Sequence, residues 1–226
     1  GLMAMFLVKD RKGSEKETDK LTSKEILLEF AKGITILKNP QVAIACVVRI
    51  INQLALFGLV VIMPIVFTDT VGFTTSEWLR IWGLMYIVTI FTNLFWGVVG
   101  DKIGWVRQVR WFGCIGMVIS TLAFYYLPIW TGPNIWVAGA VAIVFGFAVA
   151  AFVPMSAIFP ILEPNHKGAA VSIHNLSAGL SNFVGPAIAT LTVPIGGPVL
   201  TIWTYAIIYF IGFILTFFMK VNQPNH

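Results

Sequence analysis

Two stretches of this chain run for 52 residues each without an Asp, Glu, Lys or Arg, from Trp111 to Leu162 and from Gly168 to Met219. No other feature constrains the fold as hard. About 20 consecutive apolar residues cross a bilayer as a helix, so each stretch is too long for one crossing and long enough for two. Turn signals divide both. Pro128-Ile-Trp-Thr-Gly-Pro133-Asn splits the first, with Trp130 and Trp136 suited to the membrane–water interface, and Pro194-Ile-Gly-Gly-Pro198 splits the second. A further run, Ile81 to Gly100, ends at Asp101, and Asn39 to Thr68 is interrupted only by Arg49. The runs are continuous rather than alternating, which excludes β-barrel spans. Backbone groups in lipid must be satisfied within their own segment, so helices remain. The expected fold is all-α and transmembrane, with six spans at roughly 41–68, 78–100, 108–128, 134–160, 168–192 and 198–220.

The charges say which way the spans run. Only 11% of the 226 residues are charged, against about 25% in a typical globular protein. Residues 1–38 hold eight of the 15 Lys and Arg and six of the ten Asp and Glu. The net charge of +5 does not point to nucleic acid, because no basic stripe lies outside that first segment. If 9–38 is cytoplasmic, six crossings put Lys102, Arg107, Arg110, Lys167 and Lys220 on the same side and leave Arg80 alone on the other, a strong positive-inside bias. Cys46 and Cys114 both sit in apolar runs without spaced pairing, so neither a disulfide framework nor a metal site is expected, and no cofactor is implied. The lipid bilayer is the first expected partner.

Residues 1–8 (GLMAMFLV) are apolar but too short to span, and they lack the basic start and small-residue cleavage site of a signal peptide. They read as the cytoplasmic end of a truncated preceding helix. Residues 9–40 read as a cytoplasmic interdomain linker with a short amphipathic helix over 25–38, where Ile26, Leu27, Phe30, Ile34 and Leu37 share a face. Residues 41–220 form the six-helix domain and 221–226 a cytoplasmic tail. The expectation is the second half of a larger transporter, its six helices arranged as two inverted groups of three.

Polar side chains inside the bilayer carry the functional information, since each is unfavourable unless it pairs or lines water. Arg49 lies on the order of 10 Å of helix beyond Pro40, with Asn52 and Gln53 on its face. It can snorkel to the cytoplasmic surface or take part in gating or substrate binding. Asn52 and Gln53 are candidates for lining a cavity. On the second helix Tyr86, Thr89, Asn93 and Trp96 recur at three- and four-residue steps; amide, hydroxyl and ring suit a polyhydroxylated substrate, and equally suit packing. On the fifth, Asn175, Ala178, Gly179 and Asn182 form one face open to close helix approach, and His174, Ser177 and Ser181 the adjacent one. His174 reads as a hydrogen-bonded histidine near the cytoplasmic end, or as a pH-sensitive group. No Asp or Glu lies at mid-bilayer depth, which places any carboxylate proton relay outside these spans.

The loop Gly97-Val-Val-Gly-Asp101-Lys102-Ile-Gly104-Trp-Val-Arg107-Gln-Val-Arg110 puts an acid at a helix C-terminus, against the dipole. Asp101 therefore needs a compensating partner: Arg107, Arg110 or a neighbouring helix N-terminus, acting as a latch. The loop resembles the Gly-x-x-x-Asp-(Arg/Lys)-x-Gly-x-(Arg/Lys) signature of the major facilitator superfamily. Gly97, Asp101, Lys102 and Gly104 match it, Arg107 supplies the last basic residue one position late, and Trp105 and Val106 stand where basic residues are frequent. VRIINQLALFG (48–58), GFTTSEWL (72–79), VRWFGCIG (109–116), LAFYYLP (122–128) and NLSAGLSNF (175–183) are similar to the C-terminal half of bacterial pentitol permeases, which move ribitol and D-arabinitol.

The resemblance implies a twelve-helix transporter in the bacterial inner membrane, of which this is the half that follows an N-terminal six-helix half. It implies alternating access about a midplane site, a small neutral polyol as substrate and a proton as co-substrate. It implies that Asp101 with Arg107 closes the cytoplasmic side against the fifth helix. Candidate substrate-binding residues are Asn52, Gln53, Asn93, Trp96 and Asn175; candidate latch residues are Gly97, Asp101, Lys102, Gly104, Arg107 and Arg110. An intramembrane protease is a poor fit, because seven residues of helix set His174 and Ser181 about 10 Å apart. An aquaporin-type channel needs Asn-Pro-Ala pairs that the chain lacks. Transport of a sugar or organic acid, and a non-transporting membrane scaffold, remain as alternatives.

Overall fold

The computed structural model describes residues 35–223, and among them every regular element is a helix. Residues 1–8, all but the end of the 25–38 segment, and 224–226 lie outside the described residues. Five helical runs are long and apolar enough to cross a membrane: Pro40–Val71, Thr75–Ile103, Trp105–Thr131, Ile135–Leu162 and Pro164–Leu215. The last covers 52 residues and is broken at Gly196 (φ −142°, ψ 18°) and Gly197 (φ 66°, ψ −168°). Gly197 adopts a left-handed φ that residues with a Cβ disfavour. Its arms, 167–195 and 198–215, are therefore the fifth and sixth spans, divided within the Pro194–Pro198 turn where the sequence places the division.

The span starts follow from local chemistry. Asn39 accepts from the Gln41 N–H (3.0 Å) and Pro40 opens the first helix. Thr74 and Glu77 form a reciprocal capping box: Glu77 Oε2 accepts from the Thr74 N–H (2.8 Å), and Thr74 Oγ1 accepts from the Glu77 N–H (3.3 Å). Asn134 caps the fourth span by accepting from the Trp136 N–H (3.0 Å). Trp130 and Trp136, at the turn between the third and fourth spans, are highly exposed, as an interfacial position requires.

Two spans are irregular. The first stops at Asn52, passes through Gln53 (φ −109°, ψ 9°), and resumes at Leu54. Beyond Pro64 it widens into a π-helical turn, Val66–Val71, that closes on Gly72. The third span begins with Trp105–Gln108 and continues through a π-helical segment, Val109–Ile115.

Packing follows the expected two-triplet plan. Successive spans alternate in direction, so the second triplet is inverted relative to the first. The first span packs on the 167–195 arm, and the second packs on the fourth. Exchanging the triplets turns one of these crossings into the other. Glycines let the backbones touch at both. A Cβ at Gly185 would sit 2.5 Å from the Leu54 carbonyl oxygen, and one at Gly146 would sit 2.6 Å from that of Met85. The end away from the basic loops is closed by rings, with Phe67 4.8 Å from Trp78 and 5.4 Å from Phe124 between centroids. Ile90, Phe91 and Leu94 of the second span are exposed on this chain.

Candidate functional site

The first span and the fifth meet in a polar cluster. Arg49 donates from Nε to His174 Nε2 at 3.0 Å, and from Nη1 to Asn52 Oδ1, one turn further along its own helix. His174 Nδ1 lies 3.2 Å from Asn175 Oδ1. Its ring also meets Phe159 edge-on at 5.2 Å between centroids. The guanidinium thus reaches across to the fifth span and toward Asn52, away from the basic end of its helix. It does not snorkel. Asn52 is buried, and its Nδ2 has no hydrogen-bond partner among the described residues. The cluster is rich in donors, and among the described residues no acid is recorded in contact with it.

The helix break at Gln53 sits beside this cluster and is stapled from the sixth span. Tyr209 Oη accepts from the Ala55 N–H (3.2 Å) and donates to the Asn52 carbonyl (3.0 Å), bridging the interrupted ladder. One turn earlier, Tyr205 Oη donates to the Gly185 carbonyl (2.7 Å) and fills the space left by Gly58. Ser181 Oγ donates to the Ile50 carbonyl (2.7 Å). A discontinuity in a span is tolerated where protein groups satisfy the freed backbone, and such breaks line transporter sites. Tyr205, Tyr209 and the bond made by Ser181 were not singled out from the sequence. The available signal was two tyrosines four residues apart in an apolar run, whose hydroxyls need partners when buried.

The other candidates divide. Asn175 and Asn182 are exposed on the fifth span, and Asn93 and Gln53 are partly exposed. Gly179 faces open space; the close approach expected there is made instead by Gly185. Trp96 is a correction. It is 2% exposed, donates its indole N–H to the Phe147 carbonyl (2.9 Å) and packs on Phe112, so it joins the second span to the fourth rather than covering a substrate. Thr89 does likewise, through the Gly146 carbonyl (3.3 Å), while Tyr86 is exposed. Ser181 and His174 have separate partners, which removes the protease geometry.

The latch loop turns at Gly104 (φ 96°). Asp101 Oδ1 accepts from the Trp105 indole N–H at 2.9 Å. The tryptophan that replaces a frequent basic residue therefore supplies a neutral donor. Arg110 points elsewhere: Nε donates to Thr216 Oγ1 (3.1 Å), Nη2 to the Thr216 carbonyl (2.8 Å), and the guanidinium lies 3.9 Å above the Phe217 ring. Lys102, Arg107 and Gly97 are exposed. Gln223 Oε1 accepts from the Trp105 backbone N–H (2.7 Å), so the chain after the sixth span touches the loop.

An all-α bundle with capped spans, a stapled helix break and an intramembrane cation defines a polytopic membrane protein built around an internal polar site. The chain belongs to the Major Facilitator Superfamily, whose pattern it matches over residues 2–226, and its fold is a six-helix half of that family's architecture. It is 48% identical over 226 residues to the ribitol transporter of Klebsiella pneumoniae, covering 100% of this chain and 53% of that protein. It is 49% identical over 206 residues to the D-arabinitol transporter of the same organism, covering 91% and 48%. The alpha-ketoglutarate permease of Bacillus subtilis is 39% identical over 226 residues, covering 100% and 51%. The chain spans about half the length of these relatives.

Proposed function

We propose that this chain is the C-terminal half of a secondary transporter that moves a pentitol such as ribitol or D-arabinitol across the bacterial inner membrane. It works by alternating access and proton symport, with the linker and C-terminus cytoplasmic. The observation that carries this reading is the amide-rich cluster at the break in the first span, in a chain nearly half identical to two pentitol transporters. Asn52, Gln53 and Asn175 offer amide donors and acceptors suited to polyol hydroxyls, and Asn93 extends the same chemistry on the second span. An N-terminal half would complete the site. Gly97, Asp101, Lys102, Gly104 and Arg107 form the cytoplasmic latch, and Arg110 anchors the third span to Thr216.

One observation favours a second reading. Arg49 is an intramembrane cation with no acid beside it in the spans, and one relative is named for a dicarboxylate. Uptake of labelled ribitol, D-arabinitol and 2-oxoglutarate by the intact transporter, with and without a protonophore, separates the two. Pentitol uptake abolished by the protonophore supports symport. Uptake of the dicarboxylate alone sinks the polyol assignment. Asp101→Ala is expected to lower uptake while leaving membrane insertion intact; unchanged uptake removes the latch.

A further inference from the structure

We propose that His174 is the proton-binding group of this half, and that Arg49 couples its protonation to the substrate-binding amides. The proposal rests on the symport reading and locates its proton within these six spans, not in an acid elsewhere.

The hydrogen bonds define the protonation state. A guanidinium carries five N–H donors and no acceptor. The 3.0 Å bond from Arg49 Nε therefore requires a lone pair on His174 Nε2. The imidazole is neutral, its proton is on Nδ1, and that proton is donated to Asn175 Oδ1. Adding a proton from water to Nε2 makes an imidazolium and sets donor against donor and cation against cation. The Arg49–His174 bond cannot survive that step. Losing the proton from Nε2 restores it.

The surroundings leave Arg49 as the group that responds. On the first span the titratable neighbours are Arg49 and Cys46, the latter beside Ser177. The Met155–Leu162 segment contributes the Phe159 ring and no charge. Glu163, His166 and Lys167 lie at the turn before the 167–195 arm, where Glu163 accepts from Asn39 Nδ2 at 2.9 Å. Among the described residues no carboxylate touches the imidazole.

Coupling follows from connectivity. The same guanidinium holds Asn52 Oδ1, and the same imidazole holds Asn175 Oδ1. Opening the Arg49–His174 bond unlinks two amides that sit on opposite sides of the first–fifth span crossing. Their hydrogen-bonding groups then turn to a polyol's hydroxyls. Ser181 on Ile50 and Tyr209 on Asn52 keep the spans together meanwhile.

The test measures protons moved per pentitol by the intact transporter in proteoliposomes. With one proton per solute, a one-unit pH gradient sustains about tenfold accumulation. The wild type is expected to reach it, and His174→Gln is expected to lose it with proton movement per solute falling to zero. Accumulation by His174→Gln equal to the wild type overturns the assignment. A wild type that takes up pentitol without accumulating it on a pH gradient overturns the symport reading, and this proposal with it. A measurement on the unaltered protein guards against a variant that fails to fold. At fixed pH, the imidazole nitrogen resonances of His174 are expected to pass from the neutral Nδ1–H form to the imidazolium when pentitol binds. An unchanged tautomer on binding overturns the proposal.

Discussion

The crossing of the first and fifth spans and the crossing of the second and fourth are equivalent positions in the two triplets, and they are built alike up to a point. Each brings a glycine against a backbone carbonyl, Gly185 on Leu54 and Gly146 on Met85. In each, a side chain from the second helix of a triplet donates to a carbonyl of the first helix of the other: Ser181 to Ile50, and Thr89 and Trp96 to Gly146 and Phe147. Beyond that they diverge. The second–fourth crossing is sealed by Trp96, Phe112 and Phe147, whereas the first–fifth crossing holds Arg49, His174, Asn52 and Asn175 beside a helix break. One position serves as a packed joint. Its counterpart keeps the joint and adds the polar chemistry. Buried charge is unfavourable in a membrane unless it pairs or lines water, and the proposed substrate site lies at the crossing that carries it.

The largest expected effects test the shared part. Gly185→Ala and Gly146→Ala each push a Cβ against a carbonyl that cannot swing away, and each should cost about 2–3 kcal/mol by overpacking. Thermal unfolding in detergent reads this, and a large loss at only one site breaks the equivalence. Arg49→Leu tests the difference. It is expected to lower pentitol uptake at least about tenfold, or about 1.4 kcal/mol, while Thr89→Ala at the other crossing leaves uptake near wild type. Equal losses would erase the functional distinction. Tyr209→Phe strips the hydroxyl that bridges Ala55 and Asn52 and leaves buried backbone groups unpaired, a loss of about 1–3 kcal/mol. Hydrogen exchange at Ala55 should rise with it, and protection like the wild type's would show that the break needs no staple. Smallest are Ser181→Ala and Thr89→Ala in stability, about 0.6 kcal/mol each as for other interhelical hydrogen bonds in membranes, and additive if the crossings are independent.

Much of this was legible from residues alone. The uncharged runs are set by bilayer thickness, so their lengths gave the spans and their turn residues the divisions, including a break inside Pro194–Pro198. Arg49, Asn52 and Asn175 were visible as polar groups out of place. Between the two readings open for Trp96 the spacing cannot choose, because a ring and an amide at helical spacing look the same whether they face a cavity or the next helix; the Phe147 carbonyl decides for packing. The indole N–H of Trp105 on Asp101 was not legible, because it depends on the turn at Gly104 that brings Trp105 back over the carboxylate.

The division has a physical basis. Lipid offers no hydrogen bonds, so sequence alone determined that this chain is helical, how many times it crosses and where charge is tolerated. Which polar groups meet depends on the rotation and register of helices packed against one another, and a one-residue turn of a helix carries a side chain to a different neighbour. The pairing of Arg49 with His174, 125 residues apart in the chain, and the stapling of the Gln53 break by Tyr209 are decisions of that kind, made by tertiary packing.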